Sequence, residues 1–245
     1  MKTDLITYLG KPELKAAFLA EIGKLEAADQ IVQGHYGAMN GQFTGCAIGC
    51  SLHSLNVLQG KTDPLERVSQ HNRVPDELGW PLWLAHLDDT IFERLSPSLA
   101  VTWPRRLAEA IPVGVTVPDV VLAKLLRWTL VAETFGAVHV ADNAEVKGIV
   151  ERMGALFDRS IAGDEPSAVA WNEAARAARA ARAAWAAWAA GAALDAWDAG
   201  DAGDAWAARA ARAAWAARDA LAAGARAAFY PALAEEVLRL LLELH

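Results

Sequence analysis

From Glu173 to Gly224 every third residue holds one register of Glu, Arg, Trp, Leu and Gly, and the positions between are nearly all alanine. Alanine is the best helix former, so this stretch is constrained to helix before any other residue is considered. At about 100° per residue, each triplet step walks back roughly 60° around the axis. Arg176, Arg179 and Arg182 then occupy one half of the helix, and Trp185 and Trp188 the other. The alanine surface between them lets neighbouring helices approach closely, so tryptophan supplies most of the burial. Gly191, Gly200, Gly203 and Gly224 divide the run into two or three helices, and Val237–Leu244 closes the chain with an apolar face.

The regularity has two readings. One is expansion of a repeated triplet, tolerated because alanine helices pack easily. The other makes the arginine ladder complementary to the Asp195–Asp204 ladder, pairing neighbouring helices or a partner chain. Exposed pairs contribute only about 0–1 kcal/mol each, so they set register more than stability. The Asp-x-x-Asp steps spread carboxylates around a helix and do not match a calcium loop.

Composition divides the chain. Residues 1–164 contain 18 alanines and residues 165–245 contain 36, and all seven lysines lie at or before Lys147. Gly163-Asp164-Glu165-Pro166 is the expected seam, because Gly and Asp favour a turn and Pro suits a first helical position. The expectation is a helical globular part over 1–164 and an alanine-, tryptophan- and arginine-rich helical part over 165–245 packed on it. Within the first part Pro12 opens a helix to about Val32, and a Gly-rich loop from His35 to Gly45 leads into a helix over Cys46–Leu58. Pro81 opens another helix to about Leu95. Thr102 and Pro104 begin a short one that Pro112 closes, and Pro118 begins Val120–Val131. Asp142 and Glu145 have capping-box spacing and start a helix to about Ile161. Val113–Val117 has the residues of a short strand but no evident partner. The predicted class is all-α, a multi-helix globular bundle with an alanine-rich C-terminal segment.

Charge and cysteine content narrow the function classes. The net charge of −7 argues against a general grip on nucleic acid or an anionic membrane. Charges recur too often for a membrane-spanning run. The start at Met1-Lys2-Thr3-Asp4 does not resemble a signal peptide, and two cysteines give no disulfide framework, so a cytoplasmic setting is expected.

The strongest chemical candidate is Phe43-Thr-Gly-Cys-Ala-Ile-Gly-Cys-Ser-Leu-His-Ser54. With Thr44 as N-cap, Cys46 and Cys50 fall in the first turns of a helix, where the dipole favours thiolate. Cys46, Cys50, His53 and Val57 share one face, so His53 can act as base toward Cys50. Three readings stand beside one another: small residues admitting a close neighbour, a thiol nucleophile, and zinc bound by Cys46, Cys50 and His53 with a distant fourth ligand. In the helix after Pro81, Asp88 falls within the apolar stripe and needs a partner, with His53, Arg127 or a capped backbone as candidates. His86, Asp89 and Glu93 form its polar face, either solvated or ligating a metal. Glu93 can join the cysteine site if the two helices meet. His35-Tyr36 can reach the same site from the loop, His71 lies in a polar loop and is expected to be solvated, and His139 is expected to pack. Trp103, Arg105 and Arg106 offer a small anion site. No dinucleotide, P-loop, zincin or nucleophile-elbow motif occurs.

Gly45-Cys-Ala-Ile-Gly-Cys-Ser-Leu-His-Ser54, Leu78-Gly-Trp-Pro81, Leu87-Asp-Asp-Thr-Ile-Phe-Glu93 and Trp103-Pro104 resemble an uncharacterised group of bacterial and phage proteins that also end in an alanine- and tryptophan-rich tail. The tail is further similar to helical segments of bacterial immunity proteins. The resemblance implies a bacterial or prophage setting and carries no catalytic role. The leading expectation is an interaction or ligand-binding protein, taking a protein partner or small ligand through the Trp- and Arg-bearing helices. The rivals are a thiol-dependent enzyme using Cys46 or Cys50 with His53 and an acid such as Asp89 or Glu93, and a structural zinc protein. No motif demands a cofactor, and zinc is the metal these residues suit.

Overall fold

The computed structural model describes residues 5–61, 70–141, 144–180 and 223–244. They form a mainly α fold with a single two-stranded sheet, in two compact units. The first unit comprises Met1–Val117 with Leu233–His245, and the second Pro118–Ala232. The composition seam at 163–166 lies inside the second unit. Residues 181–222, with most of the triplet register, the tryptophan–arginine pattern and the aspartate ladder, lie outside the described residues.

In the first unit α1 spans Pro12–Ala27, with Pro12 at its first position, where the missing N–H costs nothing. It ends earlier than the expected Val32, because Ala28 and Asp29 leave the helix and Ile31 instead makes a parallel bridge to Gly45. The stretch expected as a Gly-rich loop is a hairpin, β1 (Gly37–Asn40) and β2 (Gln42–Gly45), with Ala38 opposite Thr44 and Met39 opposite Phe43. α2 (Ala47–Leu58) follows directly. Then come α3 (Arg73–Leu78), α4 (Leu82–Phe92), α5 (Pro97–Ala100) and α6 (Trp103–Ala110). Val113–Val117 is not a strand; its carbonyl and amide at Val115 meet Thr7 instead.

The N-terminal turn at Thr7–Gly10 is tied down from several sides. Thr7 Oγ1 donates to the Pro112 carbonyl at 2.5 Å, and the buried Tyr8 hydroxyl donates to the Ala108 carbonyl at 2.5 Å. Tyr8, Phe18 and Trp80 pack at centroid distances of 5.8–6.5 Å, with both Trp80 contacts edge-to-face. Lys15 Nζ caps the end of α6 by donating to the carbonyls of Glu109 and Ile111. Gly79 ends α3 in the left-handed region, where a Cβ would stand 1.9 Å from the Ile6 carbonyl oxygen.

The second unit contains α7 (Asp119–Val131), α8 (Ala144–Ile161) and α9 (Ala168–Ala180); the final helix, α10, spans Ala223–Leu242. α9 buries Trp171, Ala175 and Ala178 along one stripe, with Trp171 5.1 Å from Phe157. Alanine admits the close approach and one tryptophan fills the gap. Trp128, Phe135 and Phe229 form a second aromatic cluster at 5.6–6.4 Å. His139 is exposed and not packed as expected, with its Nε2 3.0 Å from the Ala132 carbonyl oxygen.

Candidate functional site

Cys46 is the N-cap of α2, displacing the expected Thr44, whose hydroxyl sits 3.1 Å from His35 Nε2. The chain enters the helix straight from β2, so the residue at the junction is Cys46 itself. α4 and its C-cap present Asp89 and Glu93 one turn apart. The Cys46 sulfur and one carboxylate oxygen from each acid all lie within 4.8 Å of one another. Cys46 is buried, whereas Asp89 remains one-third exposed and opens the group to solvent.

The segment Gln33–Tyr36 straps these residues together. Gln33 Nε2 donates to the carbonyls of Phe92 and Leu95, capping the end of α4. The Gly34 amide lies 3.0 and 3.2 Å from the two Glu93 oxygens. The His35 carbonyl accepts the Cys46 amide at 2.9 Å, and the Tyr36 carbonyl accepts its thiol at 3.7 Å. The Tyr36 hydroxyl accepts the Gln70 amide at 3.0 Å, next to His71. Sequence reasoning put His35-Tyr36 within reach of the site, but through their side chains. The working groups of this segment are mostly backbone, which no side-chain pattern signals.

His71 corrects its expected solvation. It is 7% exposed, its ring stacks on His86 at 4.2 Å and 8°, and Nε2 lies 3.5 Å from Asp89 Oδ2. Docking of α3 buries it: Arg73 bonds Asn56 Oδ1 of α2 at 2.8 Å and Glu77 at 2.6 Å. Cys50 and His53 stand elsewhere. Cys50 is fully buried and its thiol donates to the Gly45 carbonyl at 3.2 Å. His53 is half-buried and stacks on Phe43 at 4.0 Å and 1°. Asp88 is satisfied by none of its expected partners: Trp103 Nε1 donates to its Oδ1 at 2.8 Å and contacts its carbonyl at 3.3 Å. Arg105 and Arg106 do not offer the expected anion site, because Glu26 and Glu109 engage the first and Glu235 the second.

Burial and concentrated negative charge govern the electrostatics. Burial, reinforced by the Asp89 charge, pushes the Cys46 thiol far above its ordinary value, with the Gly49 amide pulling the other way. Burial pushes Cys50 up to about 12, helped by Asp88. Tyr36 rises to about 12, again chiefly through burial. Glu93 is raised by burial, against the Gly34 amide, and Asp88 is raised to about 8 by burial and then by Asp89. Desolvation lowers His53. Thus Asp89 raises the proton affinity of four neighbouring groups. A cation among them relieves that repulsion.

No protein family, curated protein or solved structure matches the chain. Among the described residues no helix is long and apolar enough to cross a membrane.

Proposed function

We propose that the chain binds a divalent transition-metal ion, zinc in preference, between Cys46, Asp89 and Glu93. The observation that supports this reading is the convergence of one sulfur and two carboxylate oxygens within 4.8 Å. A tetrahedral zinc with bonds of about 2.0–2.3 Å holds its ligand atoms roughly 3.5 Å apart, so small side-chain rotations close the group. A thiolate and carboxylates favour zinc over a hard cation such as magnesium. The high proton affinity of Cys46 and Glu93 makes binding pH-dependent: the metal must displace their protons, and its binding weakens as pH falls. Three protein donors with an exposed side match a catalytic zinc that keeps one position for water, whereas structural sites are closed by four. A zinc held there by Cys46, Asp89 and Glu93 would leave one position for water, and the chemistry it would supply is activation of that water. A thiol-enzyme reading gains less, since burial keeps Cys46 protonated at neutral pH and the Cys50 thiol is spent on a carbonyl. Capture of a protein partner in a bacterium or phage stays a proposal that depends on the Trp- and Arg-bearing tail, most of which lies outside the described residues.

The expected result is one zinc per chain by native mass spectrometry, lost on denaturation. Cys46→Ala, Asp89→Asn and Glu93→Gln should each abolish stoichiometric binding, while Cys50→Ala and His53→Ala retain it. Unchanged metal content in Cys46→Ala would overturn the assignment.

A further inference from the structure

We infer that His71 is a positioning residue of this centre: it holds one oxygen of Asp89, keeps that carboxylate monodentate, and so selects a four-coordinate thiophilic ion over magnesium or calcium. The inference rests on the proposed metal reading of Cys46, Asp89 and Glu93.

The geometry comes from residues outside the ligand group. His71 Nε2 approaches Asp89 Oδ2 at 3.5 Å, within ion-pair reach but longer than a hydrogen bond, and this is the oxygen the centre does not need if Asp89 ligates through its other one. The imidazole is buried and its plane is fixed by the parallel His86 ring 4.2 Å away. Its backbone is fixed as well. The Gln70 amide is held by the Tyr36 hydroxyl at 3.0 Å, and the His71 carbonyl accepts the Val74 amide at 3.1 Å. A ring this constrained orients the carboxylate more than the carboxylate orients the ring. Glu93 is restrained in parallel by the Gly34 amide, which lies against both its oxygens.

Denticity then decides which ion fits. Calcium takes six to eight oxygens and uses bidentate carboxylates freely, whereas zinc is satisfied by four donors. An Asp89 with one oxygen engaged offers one donor and keeps the coordination number low. Outer-shell partners of this kind typically change metal affinity by about 10–100-fold.

Cobalt(II), loaded into the full-length metal-free protein, is the probe. The wild type should show a sulfur-to-cobalt charge-transfer band from Cys46 and the intense visible bands of a four-coordinate ion. His71→Phe keeps a ring against His86 and removes the donor. It should keep the charge-transfer band, lose most of the visible intensity, and bind zinc about 10–100-fold more weakly in competition with a chromophoric chelator. His71→Gln, which restores an N–H near the same place, should recover most of both. A His71→Phe spectrum and zinc affinity indistinguishable from wild type would overturn the positioning role while leaving the metal centre intact. Absence of the charge-transfer band in the wild type would instead remove the metal reading, and this inference with it. Circular dichroism of each variant separates loss of the centre from loss of the fold.

Discussion

Gly49→Ala is expected to destabilise the protein by about 3 kcal/mol or more, against the trend of helix propensity. A Cβ built at Gly49 lies 1.6 Å from the Tyr36 carbonyl oxygen and 2.8 Å from its carbonyl carbon. Those are backbone atoms, so no side-chain rotation relieves the overlap; α2 and the segment before β1 must separate. Overpacking typically costs about 1–3 kcal/mol and exceeds that when backbone is displaced. Even in a helix interior the opposing gain from replacing glycine is only about 1 kcal/mol, and Gly49 lies in the first turn. Sterics therefore win. The midpoint of thermal unfolding should fall by roughly 6–12 °C, at about 2–4 °C per kcal/mol for a chain of this size. Gly23→Ala in α1 is the matched control: its Cβ meets nothing within 4 Å, so propensity acts alone and the variant should gain about 0.5–1 kcal/mol. A Gly49→Ala midpoint at or above wild type would show that the Tyr36 peptide is not pressed against α2. Because the displaced carbonyl is the one facing the Cys46 thiol, the same variant should also weaken zinc binding.

How far these features can be read from sequence follows from whether their causes are local. Pro12, Pro104 and Pro118 marked helix starts within a residue, because proline acts on its own backbone. The requirement that Asp88 find a partner was legible from the apolar stripe around it, but the partner was not. Trp103 reaches Asp88 only because α6 packs beside α4. The hairpin had a local cue in Gly41, the one residue between the strands, whose φ of 86° favours glycine, but the glycine content of the segment obscured it. His71 shows the opposite failure. Its sequence neighbours are polar and suggest solvation, whereas its burial comes from α3 docking on α2 and α4. Cys46, Asp89 and Glu93 were each recognisable by residue type and spacing, and the meeting of α2 with α4 supplied the rest. The Gln33–Tyr36 strap acts through amides and carbonyls that every sequence possesses.

The metal-free protein should lose stability as pH rises from about 5 to 8, and Asp88→Asn should remove the part of that slope that Asp88 supplies. Asp88 is completely buried and its acidity is shifted from an ordinary value near 3.8 to about 8, through desolvation first and the Asp89 charge second. Between those values the folded chain keeps a proton that the unfolded chain releases. The unfolded state thus binds fewer protons, and the unfolding free energy falls with pH at a limit of about 1.4 kcal/mol per unit. The stability from this group is fully present below the unfolded value and is lost as pH rises through the folded one. Over three pH units the loss is bounded at about 4 kcal/mol. His53 contributes with the opposite sign, because its folded value is depressed and stability there rises through the region of 6.5. Both proteins share that contribution, so the difference between them isolates Asp88. Asparagine keeps an oxygen to accept the Trp103 N–H and carries no titrating proton, which makes the two cores comparable. Above about pH 9 both proteins should fall, since the Cys46 and Cys50 thiols are raised in the folded state and ionise freely once unfolded. Urea unfolding at pH 5, 6.5 and 8 in the presence of a chelator measures this directly. Parallel stability curves for wild type and Asp88→Asn would mean that Asp88 is charged in the folded core. The Trp103 N–H would then be holding a carboxylate, and the negative charge beside Cys50 would be larger by one.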